Sequence, residues 1–157
     1  MAQSSQLIGA IRDMLMDCGL FATLLPAEAH TAAGYFSISK IDAGSVIFQE
    51  GDAGTFMCIL HQGSVSVRKT TSSEQTVEFA TLRQGRAFGE MAVLDGERRS
   101  ATCVAASECT LLILAKDSLD KMLQEAPRPA AKVIRAIAVS LSKRLRMADG
   151  QLVERQV

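Results

Sequence analysis

The apolar positions of this chain change period twice. Between residues 5 and 18, Leu7, Ile8, Ile11, Met14, Leu15 and Cys18 recur at spacings of three and four, the mark of an amphipathic helix, and Gly19 stops it. A second, alanine-rich helix is expected over 27–34, with Pro26 at its first turn and Glu28 near the positive end of its dipole. From residue 36 the pattern shortens to β-rich runs at 36–41, 45–49, 56–61, 64–70, 76–82, 100–105 and 109–115. Turn signals such as Asp42-Ala43-Gly44, Gln62-Gly63, Gln84-Gly85 and Asp95-Gly96 separate them. Val65 and Val67 alternate with Ser64, Ser66 and Arg68, as in a half-buried strand. Many short strands with regular turns predict a mainly β protein with flanking helices: an antiparallel, jelly-roll-like β-roll of the double-stranded β-helix kind.

The helical period returns after Lys116. Asp117 is the expected N-cap of a short helix over 118–125 that buries Leu119, Met122 and Leu123. Pro127 and Pro129 then launch a longer helix from about 129 to 147 or beyond. It carries two apolar stripes. One, Ile134, Ala138, Leu141, Leu145, Ala148 and Leu152, alternates by four and three like a coiled-coil seam; the other is Val133, Ile137 and Ser140. Two arrangements fit: one wide face packed on the roll, or one stripe on the roll and the other meeting a partner. The expected organisation is a helical lead-in over 1–35, the roll over 36–115 and C-terminal helices over 116–157.

Charge narrows the function. The 157 residues carry 17 Lys+Arg against 17 Asp+Glu, without the cationic excess that sequence-independent nucleic-acid binding or a polybasic membrane anchor needs. No run approaches the roughly 20 apolar residues of a membrane helix, and the N-terminus lacks the pattern of a secretory signal. Cys18, Cys58, Cys103 and Cys109 are scattered without a CxxC pair, and the last three fall in apolar runs. They read as buried reduced thiols, and so point to a disulfide-free, cytoplasmic protein. Two histidines, His30 and His61, are too few for the clustered ligands of a β-barrel metal site, so no metal is expected. Neither neighbours a nucleophile in a recognisable motif, and no carboxylate pair suggests acid–base work. An enzyme is not expected.

The densest chemistry lies in residues 85–102, from Gly85-Arg86-Ala87-Phe88-Gly89-Glu90-Met91-Ala92 to Arg98-Arg99-Ser100-Ala101-Thr102. Gly89 permits a sharp turn out of a strand, and residues 90–94 can form one helical turn closed by Asp95-Gly96. Free N–H groups at such a start suit an anionic oxygen, and Arg99 can close over the same anion with a planar fork. Glu90 would repel a bare phosphate but would accept a hydroxyl. Phosphate with a nearby hydroxyl describes a nucleotide.

This segment resembles the phosphate-binding cassette of the cyclic-nucleotide-binding domain family, which includes catabolite activator protein, protein kinase A regulatory subunits and cyclic-nucleotide-gated channels. The similarity extends to residues 43–54, to Gly63 at the hairpin, and to Cys18-Gly19-Leu20-Phe21 with Leu24, covering roughly residues 18–147. The resemblance implies a non-catalytic receptor for cAMP or cGMP. It places the backbone N–H groups of Gly89 and Ala92 at the cyclic phosphate, Glu90 on the ribose 2′-OH and Arg99 on an equatorial oxygen. Ser100 falls where members touch the phosphate or a guanine edge, and Ala101 where the backbone makes a contact. Met91 lies inside the cassette, although its side chain, like that of Met57, reads as core. Arg98 stands where many members have proline. Gly44, Gly51, Gly54 and Gly63 read as turn glycines. Arg144, Arg146 and Asp149 are the candidate contacts from the closing helix.

The resemblance further implies that this helix passes ligand binding to a second copy or an effector. cAMP is favoured over cGMP, because the helix offers no assured acidic group to read guanine. Only 151–157 follow Gly150, so direct DNA binding through a downstream helix-turn-helix is not expected of this chain. The alternatives are a fragment of a larger cyclic-nucleotide-regulated transcription factor or channel, and a fold retained as an interaction module.

Overall fold

The computed structural model describes the backbone of residues 2–156 and the side chains of residues 5–151. Two helices, α1 (Ala2–Asp17) and α2 (Pro26–Ala33), lead into β1 (Ser37–Ile41), β2 (Val46–Phe48), β3 (Phe56–Gln62), β4 (Val65–Thr70) and β5 (Thr76–Leu82). Then come β6 (Ala87–Phe88), α3 (Glu90–Asp95), β7 (Thr102–Ala105), β8 (Cys109–Ala115), α4 (Lys116–Glu125) and α5 (Pro127–Gln156). The strands form two four-stranded sheets, ordered β1-β8-β3-β6 and β2-β7-β4-β5. Every pairing is antiparallel, as the short strands and turns require. The β-roll with flanking helices expected from the periodicity is the observed architecture.

The β3–β8 sheet is buried on both faces, which is why its strands read as unbroken apolar runs. Cys58 and Leu60 of β3 and Leu111 of β8 point into the roll, where Phe48, Val65, Val67, Leu82, Phe88 and Cys103 meet them. Alternate residues, Met57, Ile59, Leu112 and Leu114, point outward and pack on Ile11, Leu15, Phe21, Ala29, Met122, Val133 and Ile137 of the helical layer. The helices thus cover a sheet face that would otherwise be exposed.

Four expectations are corrected. Strand β6 is absent from the sequence reading, because two residues carry no periodicity; its pairing Cys58↔Phe88 and Ile59↔Ala87 alone defines it. Ala115, not Asp117, is the N-cap of α4, and Asp117 sits in the first turn, where its charge favours the dipole. Leu123 is 40% exposed, since Leu119 and Met122 already fill the buried face of α4. Helix α5 begins at Pro127, whose missing N–H would be unpaired in a first turn in any case, and it continues through Gly150.

Along α5, Ala130, Val133 and Ile137 are buried, and Ile134 and Leu141 pack beside them. The seam read from the sequence therefore divides. Ile134 and Leu141 join the core, whereas Ala138, Leu145 and Ala148 are exposed, and Leu152 lies outside the residues whose side chains are described.

An ion pair of 2.6 Å between Lys132 Nζ and Glu28 Oε1 ties α5 to α2, and the same carboxylate oxygen accepts the Leu25 N–H at 2.9 Å. Lys132 first, then the Leu25 N–H, hold the Glu28 carboxyl below its ordinary 4.5. A lowered carboxylate pKa stabilises the fold above the unfolded value, and that contribution is lost as pH falls through the folded one. Urea midpoints are therefore expected to drop more steeply in the wild type than in Lys132→Met as pH falls below about 4.5. Parallel pH profiles would remove this pair from the account.

Candidate functional site

The chain leaves β6 at Gly89, which has φ +74° and ψ 7°, and enters the six-residue helix α3 at once. A left-handed residue is needed there, and a side chain is barred twice over: a Cβ would lie 2.6 Å from Arg99 Nη1 and 3.1 Å from the Phe48 ring. The first-turn N–H groups of α3 have no intrahelical partners, and among the described residues no side chain caps them. The helix ends at Gly96, whose N–H reaches the Ala92 carbonyl at 2.9 Å. The chain then runs back beside the β2–β3 loop. The Arg99 N–H donates to the Asp52 carbonyl and the Gly51 N–H to the Arg99 carbonyl, both at 2.8 Å. Arg98 Nη1 donates to the Gly51 carbonyl at 2.9 Å, so its side chain is turned onto the loop.

Gly54 sets the floor of the turn. A Cβ there would lie 1.9 Å from the Ala92 Cβ, so α3 rests directly on loop backbone. The sequence marked Gly54 only as a turn residue; close approach is the stronger reason for it.

Arg99 is 4% exposed. Its Nη1 donates to the Gly89 carbonyl at 2.8 Å and its Nη2 to the Phe56 carbonyl. The guanidinium carbon lies 3.9 Å from the Phe48 ring centroid and 4.8 Å from that of Phe56. Among the described residues no carboxylate pairs with it, and its Nε is buried without an acceptor. Burial draws the Arg99 pKa down, opposed by Cys58, Cys103 and Asp52. A buried cation held only by carbonyls and aromatic faces is short of negative charge.

Glu90 is 2% exposed and faces α5, where its Oε1 forms an ion pair with Arg144 Nη2. Among the described residues, Glu90 Oε1 and Arg144 Nε and Nη2 have no hydrogen-bond partner. Burial, and then Arg86, draw the Arg144 pKa down.

Gly89, Glu90, Arg99 and Arg144 line one cavity of about 450 Å³, within the roughly 300–1,000 Å³ usual for small-molecule sites. Its remaining walls are mainly apolar, with Phe48, Val67, Leu82 and Cys103 contributed by the roll.

The Cyclic nucleotide-binding domain family matches residues 38–126. The cyclic AMP receptor protein of Thermus thermophilus is 34% identical over 133 residues, covering 85% of this chain and 60% of that protein. The chain belongs to the cyclic nucleotide-binding domain family.

The crystal structure of the Thermus catabolite activator protein superposes with a TM-score of 0.75, covering 85% of this chain and 61% of that one. A cyclic nucleotide-binding domain from Methylobacillus flagellatus, 23% identical, superposes at 0.84 over 98% of this chain and 86% of its own, and supports the fold. A cGMP-dependent protein kinase of Eimeria tenella is 29% identical over 120 residues, 76% of this chain but 12% of the kinase. The chain thus spans about three fifths of the Thermus protein and far less of the kinase. It is a cyclic nucleotide-binding regulatory domain, of a family that is generally non-catalytic. No described helix is long and apolar enough to cross a membrane.

In this cyclic nucleotide-binding domain, Gly89, Glu90, Met91, Ala92, Arg99, Ser100 and Ala101 all line the one cavity. Met91 corrects the expectation of a core side chain: it is 53% exposed at the cavity, because Glu90 and Ala92 take the buried positions of α3. Arg144 reaches the cavity from α5, but Asp149 does not. Five residues on, Asp149 lies about 140° further around the helix, and it is exposed, as is Arg146. The sequence reading missed Phe48 and Phe56, whose rings flank Arg99, and Phe79, which joins the cavity wall from β5.

The four cysteines are free thiols. Burial pushes the Cys58 and Cys103 thiols up to about 12, although Arg99 pulls each back. The thiolate is the reactive form. Ellman's reagent is therefore expected to leave both unlabelled near neutral pH until the chain unfolds. Labelling of either in the folded protein at the rate of a free thiol would contradict their placement.

Proposed function

We propose that this domain is a receptor for a 3′,5′-cyclic nucleotide, with cAMP preferred, and that binding is coupled to α5. The observation that carries the proposal is Arg99: buried, without a carboxylate partner among the described residues, and pressed against the glycine turn that opens α3. Such a cation fits a permanently charged cyclic phosphate, with the free N–H groups around Gly89 and Ala92 on its other oxygens. Glu90 then accepts the ribose 2′-OH, Ser100 adds a hydroxyl at the phosphate, and Met91 and Ala101 complete the wall.

The Glu90–Arg144 pair supports the coupling. The carboxylate that would take the ribose hydroxyl is held by a side chain of α5. Nucleotide and Arg144 compete for Glu90, so binding loosens α5 beyond its anchor at Ile137. The ligand shifts this equilibrium only by its different affinity for the paired and released states. The exposed Ala138 and Leu145 on the freed part are the surface offered to an effector or a second copy. Preference for cAMP rests on the lack of any acidic α5 side chain among the described residues that line the cavity, so the N1–H and N2–H donors of guanine meet no acceptor from that helix.

Isothermal titration of the folded domain with cAMP, cGMP and adenosine tests this reading. Saturable heat with the cyclic nucleotides, stronger for cAMP, and none with adenosine is the expected result. A folded sample silent to both cyclic nucleotides would overturn it.

A further inference from the structure

Positive charge is concentrated on α5. Residues 126–148 hold six of the 17 Lys+Arg and none of the 17 Asp+Glu, so the rest of the chain carries an excess of six acids. At about 100° per residue, Arg128, Lys132, Arg135, Lys143 and Arg146 share an arc of roughly 80°, with Val139 at its centre. This stripe faces away from Val133 and Ile137, which α5 buries on the roll. It also lies about 100–120° round from Ala138 and Leu145. Val139 is 45% exposed, and Arg128, Arg135, Lys143 and Arg146 are exposed as well. Lys132 is tied to Glu28, but the other four cations have no ion pair among the described residues.

The fold gains little from this arrangement. Like charges three or four positions apart repel, and Arg128 stands in the first turn, at the positive end of the helix dipole. The stripe is better suited to something outside the chain. Its cations fall in two groups, Arg128 with Arg135 and Lys143 with Arg146, separated by a cation-free gap of about 12 Å that Val139 occupies. A phosphate backbone would find no charge across that gap, and the acidic excess elsewhere would repel it. A lipid surface would need an apolar helix face to insert, and α5 has already buried its own. Charged flanks around a central apolar residue match the rim-and-centre plan of a protein interface.

We propose that the outer face of α5 docks an acidic helix of a partner protein, with carboxylates on the two cation groups and one apolar side chain on Val139. No residue of the stripe lines the nucleotide cavity, so the proposal stands apart from the reading of that site.

The full chain is titrated by fluorescence anisotropy with a labelled helical peptide of about 20 residues, long enough to span Arg128 to Arg146. The peptide carries glutamates facing both cation groups and a single leucine at its centre. A version with that leucine replaced by glutamate, a duplex DNA and phosphatidylserine vesicles are the comparison probes. The leucine peptide is expected to bind, more weakly as salt rises, and more tightly at equal salt than any of the other three. Combining Arg135→Glu with Lys143→Glu should weaken it by about tenfold or more. A peptide with lysines in place of the facing glutamates should restore binding to that double variant. Val139→Ser should weaken binding while leaving its salt dependence in place. All three substitutions are at exposed positions, and thermal unfolding confirms that each variant is folded.

A leucine peptide that does not bind, or binds the double variant as well as the wild type, would overturn the proposal. So would failure of the charge-swapped peptide to restore binding, or loss of salt dependence in Val139→Ser. Tighter binding of DNA or of the vesicles would assign the stripe to a polyanion or a lipid surface and overturn it equally.

Discussion

Arg99→Met is expected to abolish most nucleotide affinity while changing the unfolding temperature little. The two effects separate because the side chain is a liability to the empty fold and an asset to the complex. In the fold alone the guanidinium is almost fully buried and, among the described residues, has no carboxylate partner. Methionine removes that desolvated charge and fills much of the same space between the Phe48 and Phe56 rings. Against this, the Gly89 and Phe56 carbonyls lose their donors, at about 1–3 kcal/mol for each one left buried and unpaired. These terms have opposite signs and similar size. In the complex nothing offsets the loss: truncating one member of a buried charge pair weakens binding by about 2–5 kcal/mol, or roughly thirtyfold to several thousandfold. Calorimetry and thermal unfolding on the same samples check both halves. Unchanged affinity would mean that Arg98, whose guanidinium now rests on the Gly51 carbonyl, holds the phosphate instead.

The second large effect is steric. Gly54→Ala places a methyl 1.9 Å from the Ala92 Cβ, 3.2 Å from the Ala92 Cα and 3.3 Å from the Glu97 carbonyl oxygen. Two of those three atoms belong to the backbone, so α3 must move away from the loop. Overpacking of this kind destabilises by about 1–3 kcal/mol. Since α3 presents Glu90 and the N–H groups beside Gly89, nucleotide affinity is expected to fall with stability. Ala92→Gly alone should lose about 1 kcal/mol, the ordinary penalty of glycine within a helix. The double variant removes the clashing methyl pair and should recover much of the Gly54→Ala loss, a coupling of roughly 0.5–3 kcal/mol. Urea unfolding of the four proteins measures it. A double variant that shows the plain sum of both losses would mean that α3 does not rest on Gly54.

The parts of this protein legible in its sequence are those written in local pattern. Alternation in Val65–Thr70, the continuous apolar run at Cys109–Ala115 and the three-and-four spacing of Leu7 to Cys18 each specify an element, and the elements form. The cassette was legible for the same reason: Gly89, Glu90, Ala92 and Arg99 lie within eleven residues, and their spacing places them on one turn and the strand that returns from it. What stayed hidden depends on contacts remote in the chain. The carbonyl that holds Arg99 Nη2 is 43 residues earlier, and nothing around Phe56 announces it. Arg144 is legible only as one of three candidate contacts, with Arg146 and Asp149; α5 laid along the roll singles it out and makes Glu90 its partner. Phe79 is concealed differently: strict alternation sends it to solvent, and only the slipped pairing between Val67 and Arg68 turns it inward. Met91 misled because its residue type favours the core, whereas a six-residue helix has room to bury only one side of itself.

The Glu90–Arg144 pair joins the site to the rest of the molecule. In the proposed coupling it is the point at which a ligand inside the roll would compete with a helix outside it. A crystal structure of the domain grown with cAMP tests the central claim most directly. It should show the cyclic phosphate between the Arg99 guanidinium and the N–H groups at Gly89 and Ala92, the ribose 2′-OH on Glu90, and Arg144 withdrawn from that carboxylate. A nucleotide bound away from Arg99, or seated in the cavity with its phosphate turned to solvent and Glu90 still held by Arg144, would contradict it.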